Sequence, residues 1–155
     1  MTKLYIAYGS NMDEKQMAYR CPEAQLLGTA AVEDYRLLFK GSKTGAYATI
    51  EPEVGCRVPV LVWRITEQDE RSLDRYEGCP TYYTKHRRKV MMDDGSELWG
   101  MVYIMKLIRP MIPHASYYNG IHSAYTKLGL RSEIERVLEP ALQRSIERDR
   151  CRHRR

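Results

Sequence analysis

Leu4, Ile6 and Tyr8 alternate with Tyr5 and Ala7, so the first stretch of the chain is apolar on both faces and predicts a short central strand. Gly9-Ser10-Asn11 breaks it. Residues 13–20 then predict a short helix with acidic residues in its first turn, stopped by Pro22. Strand patterns follow at 26–32, 35–39 and 47–50. A stronger one spans 58–65, where Val58, Val60 and Val62 share one face and Leu61 and Trp63 the other; Pro59 marks an edge or a bulge. Thr66 and Asp69 have capping-box spacing and open a helix to about Tyr76, with Gly78 just past its end. The runs 82–92 and 97–107 flank Asp93-Asp94-Gly95-Ser96 and predict a β-hairpin with a tight turn.

Beyond Pro110 and Pro113, Ser116 is placed to cap a helix carrying Tyr117, Ile121, Ala124, Tyr125 and Leu128, ended by Gly129. Ser132 and Glu135 open a last helix with a buried stripe of Ile134, Val137, Leu138, Ala141 and Leu142, which Pro140 should kink or restart. Six or seven mostly antiparallel strands and four short helices predict an α+β fold: a small, partly open β-barrel flanked by short helices. No repeat or linker divides the chain. One domain is expected over 1–143, followed by a tail over 144–155.

Composition changes this picture in three places. At 155 residues, with 43% hydrophobic and 29% charged residues, the chain can bury a core without disulfides or a metal. Its aromatics are lopsided: twelve Tyr, two Trp and one Phe. A ring with a polar tip suits the wall of a wet cavity better than a dry core. The net charge of +5 is concentrated in 144–155, where six Arg face Glu147 and Asp149. A nucleic-acid-binding fold spreads its cations along one face, so this pattern argues against a nucleic-acid partner and for a solvated, frayed end.

The four Cys, at 21, 56, 79 and 151, form no C-x-x-C pair and stand at no zinc-ligand spacing with His. No signal peptide precedes the first strand and no apolar run has a membrane helix's length, so reduced thiols in the cytoplasm and no membrane association are expected.

Three features rise above background. Tyr8-Gly9-Ser10-Asn11-Met12 packs a strand end, a glycine turn and a helix start into five residues. Outward backbone N–H groups there can cradle a carboxylate or an oxyanion, although Gly-Ser-Asn is also ordinary turn chemistry. Glu77 ends the helix before Gly78, where the partial negative charge of the helix end and burial would both raise its pKa into the range of a neutral-pH acid–base catalyst. An isolated Glu-Gly is more often an exposed loop. Asp74, in the same helix, reads as solvated or as a structural hydrogen-bonding partner. Tyr82, Tyr83, Tyr117 and Tyr118 are candidate cavity residues, and strand alternation lets only one of Tyr82 and Tyr83 face inward. Cys79 reads as a structural thiol, and His86, in a basic strand, as solvent-facing.

The order and spacing of these segments resemble the γ-glutamylcyclotransferase-like family, which includes the γ-glutamylamine cyclotransferases and AIG2-like proteins. Residues 8–12 resemble its Y-G-S-N-[LM] signature, and Leu73-Asp74-Arg75-Tyr76-Glu77-Gly78 its L-D-x-x-E-G motif. Ala48-Thr49-Ile50 and the strand from Pro59 resemble family strands, although Pro59-Val60-Leu61 stands in place of a usual Gly. Ser116-Tyr117 to Gly129-Leu130 is similar to the closing P-S-x-x-Y…G-L helix, so the resemblance covers about 3–130.

The resemblance implies an intramolecular acyl transfer in which a γ-glutamyl amine or γ-glutamyl amino acid closes to 5-oxoproline and releases its amine. It makes Glu77 the catalytic acid–base, places Tyr8, Gly9, Ser10, Asn11, Met12, Tyr83 and Tyr117 around the substrate, and requires no metal or cofactor. The competing reading on the same fold is a non-catalytic module that binds a small carboxylate. The leaving amine, and whether the chain forms a homo-oligomer, stay open.

Overall fold

The computed structural model describes residues 1–42, 45–106 and 109–153. Five strands make a closed barrel in the order β1-β3-β2-β4-β5. They are β1 (Thr2–Ala7), β2 (Gln25–Ser42), β3 (Gly45–Thr66), β4 (Tyr83–Met92) and β5 (Glu97–Met105). All neighbours pair antiparallel except at the seam, where β1 and β5 meet in parallel through Tyr5 and Met101. The α+β class and the mostly antiparallel barrel match the expectation; the barrel is closed where a partly open one was expected.

Fewer, longer strands replace the expected six or seven. The runs at 26–32 and 35–39 are one strand, interrupted at Asp34, which takes a positive φ of 61° and accepts a hydrogen bond from Gly55 N at 3.0 Å. Opposite this point β3 bulges between Pro52 and Arg57, so the runs at 47–50 and 58–65 are also one strand. Pro59 pairs with Ala31 of β2 but lies beyond Leu61, the last residue of β3 paired to β1, so its missing N–H falls where the sheet has one partner. Val58 through Trp63 are buried on both faces, each aliphatic side chain contributing roughly 1.5–3 kcal/mol. This makes β3 the spine of the core.

Short helices close the ends. A 3₁₀ turn (Ser10–Met12) leads into α1 (Glu14–Arg20), capped by the Asp13 side chain on Lys15 N. Helix α2 (Glu67–Glu77) starts in a complete Thr66/Asp69 capping box and stops at Gly78, whose φ of 62° and ψ of 39° are left-handed. The hairpin of β4 and β5 stands as expected; Leu107, the expected end of its second strand, lies outside the described residues.

Helix α3 (Ala115–Lys127) is capped by His114 Nδ1 on Ser116 N, not by Ser116 itself. The last helical region starts at Arg131 rather than at a Ser132 cap: α4 (Arg131–Glu133) passes through a π turn (Ile134–Leu138) into α5 (Glu139–His153). The wider turn directly precedes Pro140 and accommodates it without breaking the helix. The expected boundary at 143/144 therefore falls inside α5, where Arg144 Nη1 donates to Leu37 O at 3.2 Å and Ser145 Oγ to Phe39 O at 3.3 Å. Arg154 and Arg155 of the expected tail lie outside the described residues.

Candidate active site

The glycine turn and the end of α2 meet at one mouth of the barrel. Between them lies a cavity of about 400 Å³ whose lining includes Tyr8, Gly9, Ser10, Asn11, Glu77, Tyr83 and Tyr117. Seven of the eight residues expected to form a site are thus brought together. Met12 is the exception: the 3₁₀ turn rotates it into the core, where it is 1% exposed. Its neighbour Asn11 stays at the wall, held by Nδ2 donation to Tyr5 Oη at 3.0 Å and by Trp63 Nε1 donating to Asn11 O at 3.3 Å.

Tyrosines recur through the remaining wall: Tyr5, Tyr47, Tyr76, Tyr82 and Tyr103. Tyr82 and Tyr83 both reach the cavity, contrary to strand alternation, because Tyr82 stands before the first residue of β4 and is not bound by its period. The hydroxyls divide by what they already bond. Tyr8 donates to Tyr103 O at 2.5 Å, Tyr83 to Ala48 O at 2.8 Å and Tyr103 to Asp74 Oδ1 at 2.6 Å. Tyr117 instead accepts from Ala48 N at 3.0 Å, and Tyr5 accepts from Asn11. Among the described residues, then, the phenolic protons of Tyr5 and Tyr117 have no acceptor within the chain and can be donated into the cavity. A Cβ built on Gly9 would stand 3.4 Å from Tyr117 Oη, in ordinary contact, so the turn packs close against that hydroxyl.

Glu77 is the last residue of α2 and the one carboxyl group in the described lining. Burial pushes its pKa up to about 7, against the opposing pull of the Arg20 guanidinium. No described residue hydrogen-bonds the carboxyl. Burial also holds Tyr5, Tyr8, Tyr83, Tyr103 and Tyr117 above the ordinary phenol range, so they stay neutral while Glu77 titrates.

Asp74 is a structural partner. Its carboxylate takes Tyr103 Oη and, at 3.0 Å, Lys85 Nζ, which also bridges to Glu70 at 2.8 Å. These bonds tie α2 to β4 and β5, three residues before Glu77.

Sequence reasoning missed Arg20, whose only signal was its place at the end of a helix, and Tyr5 and Tyr103, which read as strand residues. The Tyr excess was the one clue to the wall. Cys79 is partly buried and outside the lining, and Cys21, buried, donates to Asp69 O at 3.7 Å. His86 is partly buried and shares a 2.7 Å hydrogen bond with Thr84 Oγ1. Among the described residues no His, Cys, Asp and Glu side chains cluster as a metal site, and no helix is long and apolar enough to cross a membrane.

A family model described as "Gamma-glutamyl cyclotransferase, AIG2-like" matches residues 5–119, a span that runs from Tyr5 on β1 past Tyr117 on α3 and so takes in the whole cavity wall. The gamma-glutamylcyclotransferase of Homo sapiens is 31% identical over 144 residues, spanning 88% of this chain and 77% of that protein. Its Mus musculus counterpart is 30% identical over 146 residues, spanning 89% and 78%. A solved gamma-glutamyl cyclotransferase structure superposes with a TM-score of 0.82 at 28% identity, covering 90% of this chain and 87% of its own. The chain belongs to the AIG2-like γ-glutamyl cyclotransferase family.

Proposed function

We propose that the chain is an enzyme that cyclises a γ-glutamyl amine or γ-glutamyl amino acid to 5-oxoproline, with Glu77 as its general acid–base. The observation that carries this reading is the lone carboxyl of the described lining, in the same cavity as the Gly9–Asn11 turn and lifted by burial to about 7. At neutral pH such a group populates both forms, and the reaction needs both. The ionised carboxylate takes a proton from the substrate's α-ammonium. The freed amine attacks the γ-carbonyl carbon, forming the ring C–N bond and an oxyanion. Collapse breaks the bond to the leaving nitrogen, which receives that proton from Glu77. The regenerated carboxylate then takes the surplus proton of the ring nitrogen and passes it to the released amine, leaving a lactam N–H and an ammonium. Atoms and charge balance without a further reactant.

The rest of the wall serves the geometry of ring closure. Turn N–H groups hold the α-carboxylate or the oxyanion, and the uncommitted Tyr117 hydroxyl donates beside them. The test is direct: purified protein is offered a panel of γ-glutamyl amino acids, peptides and amines, and 5-oxoproline is measured. Turnover of at least one member is expected, and Glu77→Gln should lower it by about 10²–10⁴-fold with an unchanged circular dichroism spectrum. Full activity in Glu77→Gln would remove that residue from the mechanism. Tight binding of one member without product would favour the small-carboxylate-binding module.

A further inference from the structure

Arg20 is a partly buried cation that ends α1 and faces the site without lining the cavity. Its Nη1 donates to Asn11 Oδ1, and to Ser10 Oγ at 3.2 Å. Its guanidinium carbon lies 3.5 Å from the centroid of the Tyr76 ring, and Tyr76 Oη is 3.2 Å from Ser10 Oγ. Ser10, Arg20 and Tyr76 therefore close a triangle. One corner is the glycine turn, one the end of α1, and one the residue that immediately precedes Glu77. Among the described residues no carboxylate forms an ion pair with Arg20, so its charge is not neutralised by contact.

A planar, permanently charged fork suits this place. It stacks on a ring with one face and bonds two turn residues with one edge, which a lysine cannot do. We propose that Arg20 is a positioning residue for the cyclisation: it locks the Gly9–Asn11 turn to the end of α2, and it supplies a positive field that lets Glu77 ionise inside a tyrosine-walled cavity. Its role presupposes Glu77 as the acid–base.

The titratable groups facing Glu77 from the other elements bring no charge at neutral pH. They are the phenols of Tyr5 on β1, Tyr8 before the turn, Tyr83 on β4, Tyr103 on β5 and Tyr117 on α3. On α2 itself, Arg75 lines the cavity from an exposed position, and Asp74 is occupied by Lys85 and Tyr103. Burial raises the Glu77 pKa and Arg20 opposes that rise.

The test reads Glu77 directly. In protein carrying carboxyl-¹³C glutamate, the Glu77 resonance is assigned by its absence in Glu77→Gln and titrated by NMR, alongside the pH profile of kcat/KM. Arg20→Gln, which keeps amide donors but removes the charge, is expected to raise the carboxyl midpoint by about one pH unit and to move the acid limb of the profile with it. Arg20→Lys is expected to leave the midpoint near that of the parent while KM rises severalfold. A parent-like midpoint in Arg20→Gln, or an equal rise in Arg20→Lys, overturns the proposal. Should Arg20→Gln fail to fold, the Arg20→Lys midpoint and Tyr76→Leu decide. Tyr76→Leu removes the stacking face and should raise KM at an unshifted midpoint; a parent-like KM there also overturns it. A chain inert on every γ-glutamyl compound whose Glu77 midpoint still rises in Arg20→Gln sinks the enzymatic reading and leaves the coupling standing.

Discussion

Keeping a carboxyl group half neutral at pH 7 has a consequence for stability at the single residue. Glu77 has an ordinary value of 4.5 when unfolded and about 7 when folded. Below 4.5 both states hold the proton and the site costs nothing. Between 4.5 and about 7 the unfolded chain ionises while the folded protein still holds its proton, so stability is lost across that window and is not regained above it. A pKa difference of one between the folded and unfolded chain corresponds to about 1.4 kcal/mol, and partial exposure brings the whole effect to the order of 1–2 kcal/mol. Glu77→Gln, uncharged and similar in shape, should therefore melt higher than the parent near pH 8 and alike below 4.5. Thermal melts at the two pH values check it; equal melting temperatures at both would mean that the side chain is not desolvated.

At the scale of the element, what aims Glu77 is the way α2 ends. Gly78 takes the left-handed conformation, and a Cβ built there would stand 2.6 Å from Tyr82 Cδ2. Gly78→Ala combines the penalty for left-handed backbone with a displaced cavity tyrosine, and should cost about 1–3 kcal/mol of stability. Under the proposed mechanism it should also lower kcat more than KM, because the carboxyl would turn away from the reacting nitrogen. Denaturant titration and steady-state kinetics together check it; a parent-like kcat would show that the helix stop does not set the carboxyl's direction.

This end of the site was legible because its chemistry is local. Thr66, Asp69 and Gly78 act within four residues of where they stand, and so does the glycine turn. Arg20 was not legible. A basic residue in the last turn of a helix is ordinary dipole complement, and only the folded chain carries its guanidinium to Asn11 and Tyr76. Met12 was misjudged for the same reason: a single 3₁₀ turn decides which of two adjacent side chains, Asn11 or Met12, meets the cavity and which the core.

For the whole molecule, fold class was legible from periodicity, but closure was not. Closure depends on Tyr5 finding Met101, ninety-six positions away, in the barrel's one parallel pairing. The Arg-rich terminus shows a similar gap between composition and packing. Its charge pattern reads as a solvated tail, yet its first residues complete a helix that bonds carbonyls of β2. Ser145 is 1% exposed and Arg144 partly buried, so the two have given up water for Phe39 O and Leu37 O. A chain ending at Gln143 would take one hydrogen bond each from Leu37 O and Phe39 O, the latter keeping Met111 N at 3.1 Å, and would uncover the flank of β2 beside Phe39. It should lose at least about 2 kcal/mol of stability in urea unfolding. Replacing only the exposed Arg148 and Arg150 by Ser should change stability by no more than about 0.5 kcal/mol. The contrast isolates packing from charge: if truncation leaves the midpoint unchanged, α5 beyond Gln143 is an appendage, and if the serine replacements cost as much as truncation, electrostatics rather than those two buried bonds holds the helix to the barrel.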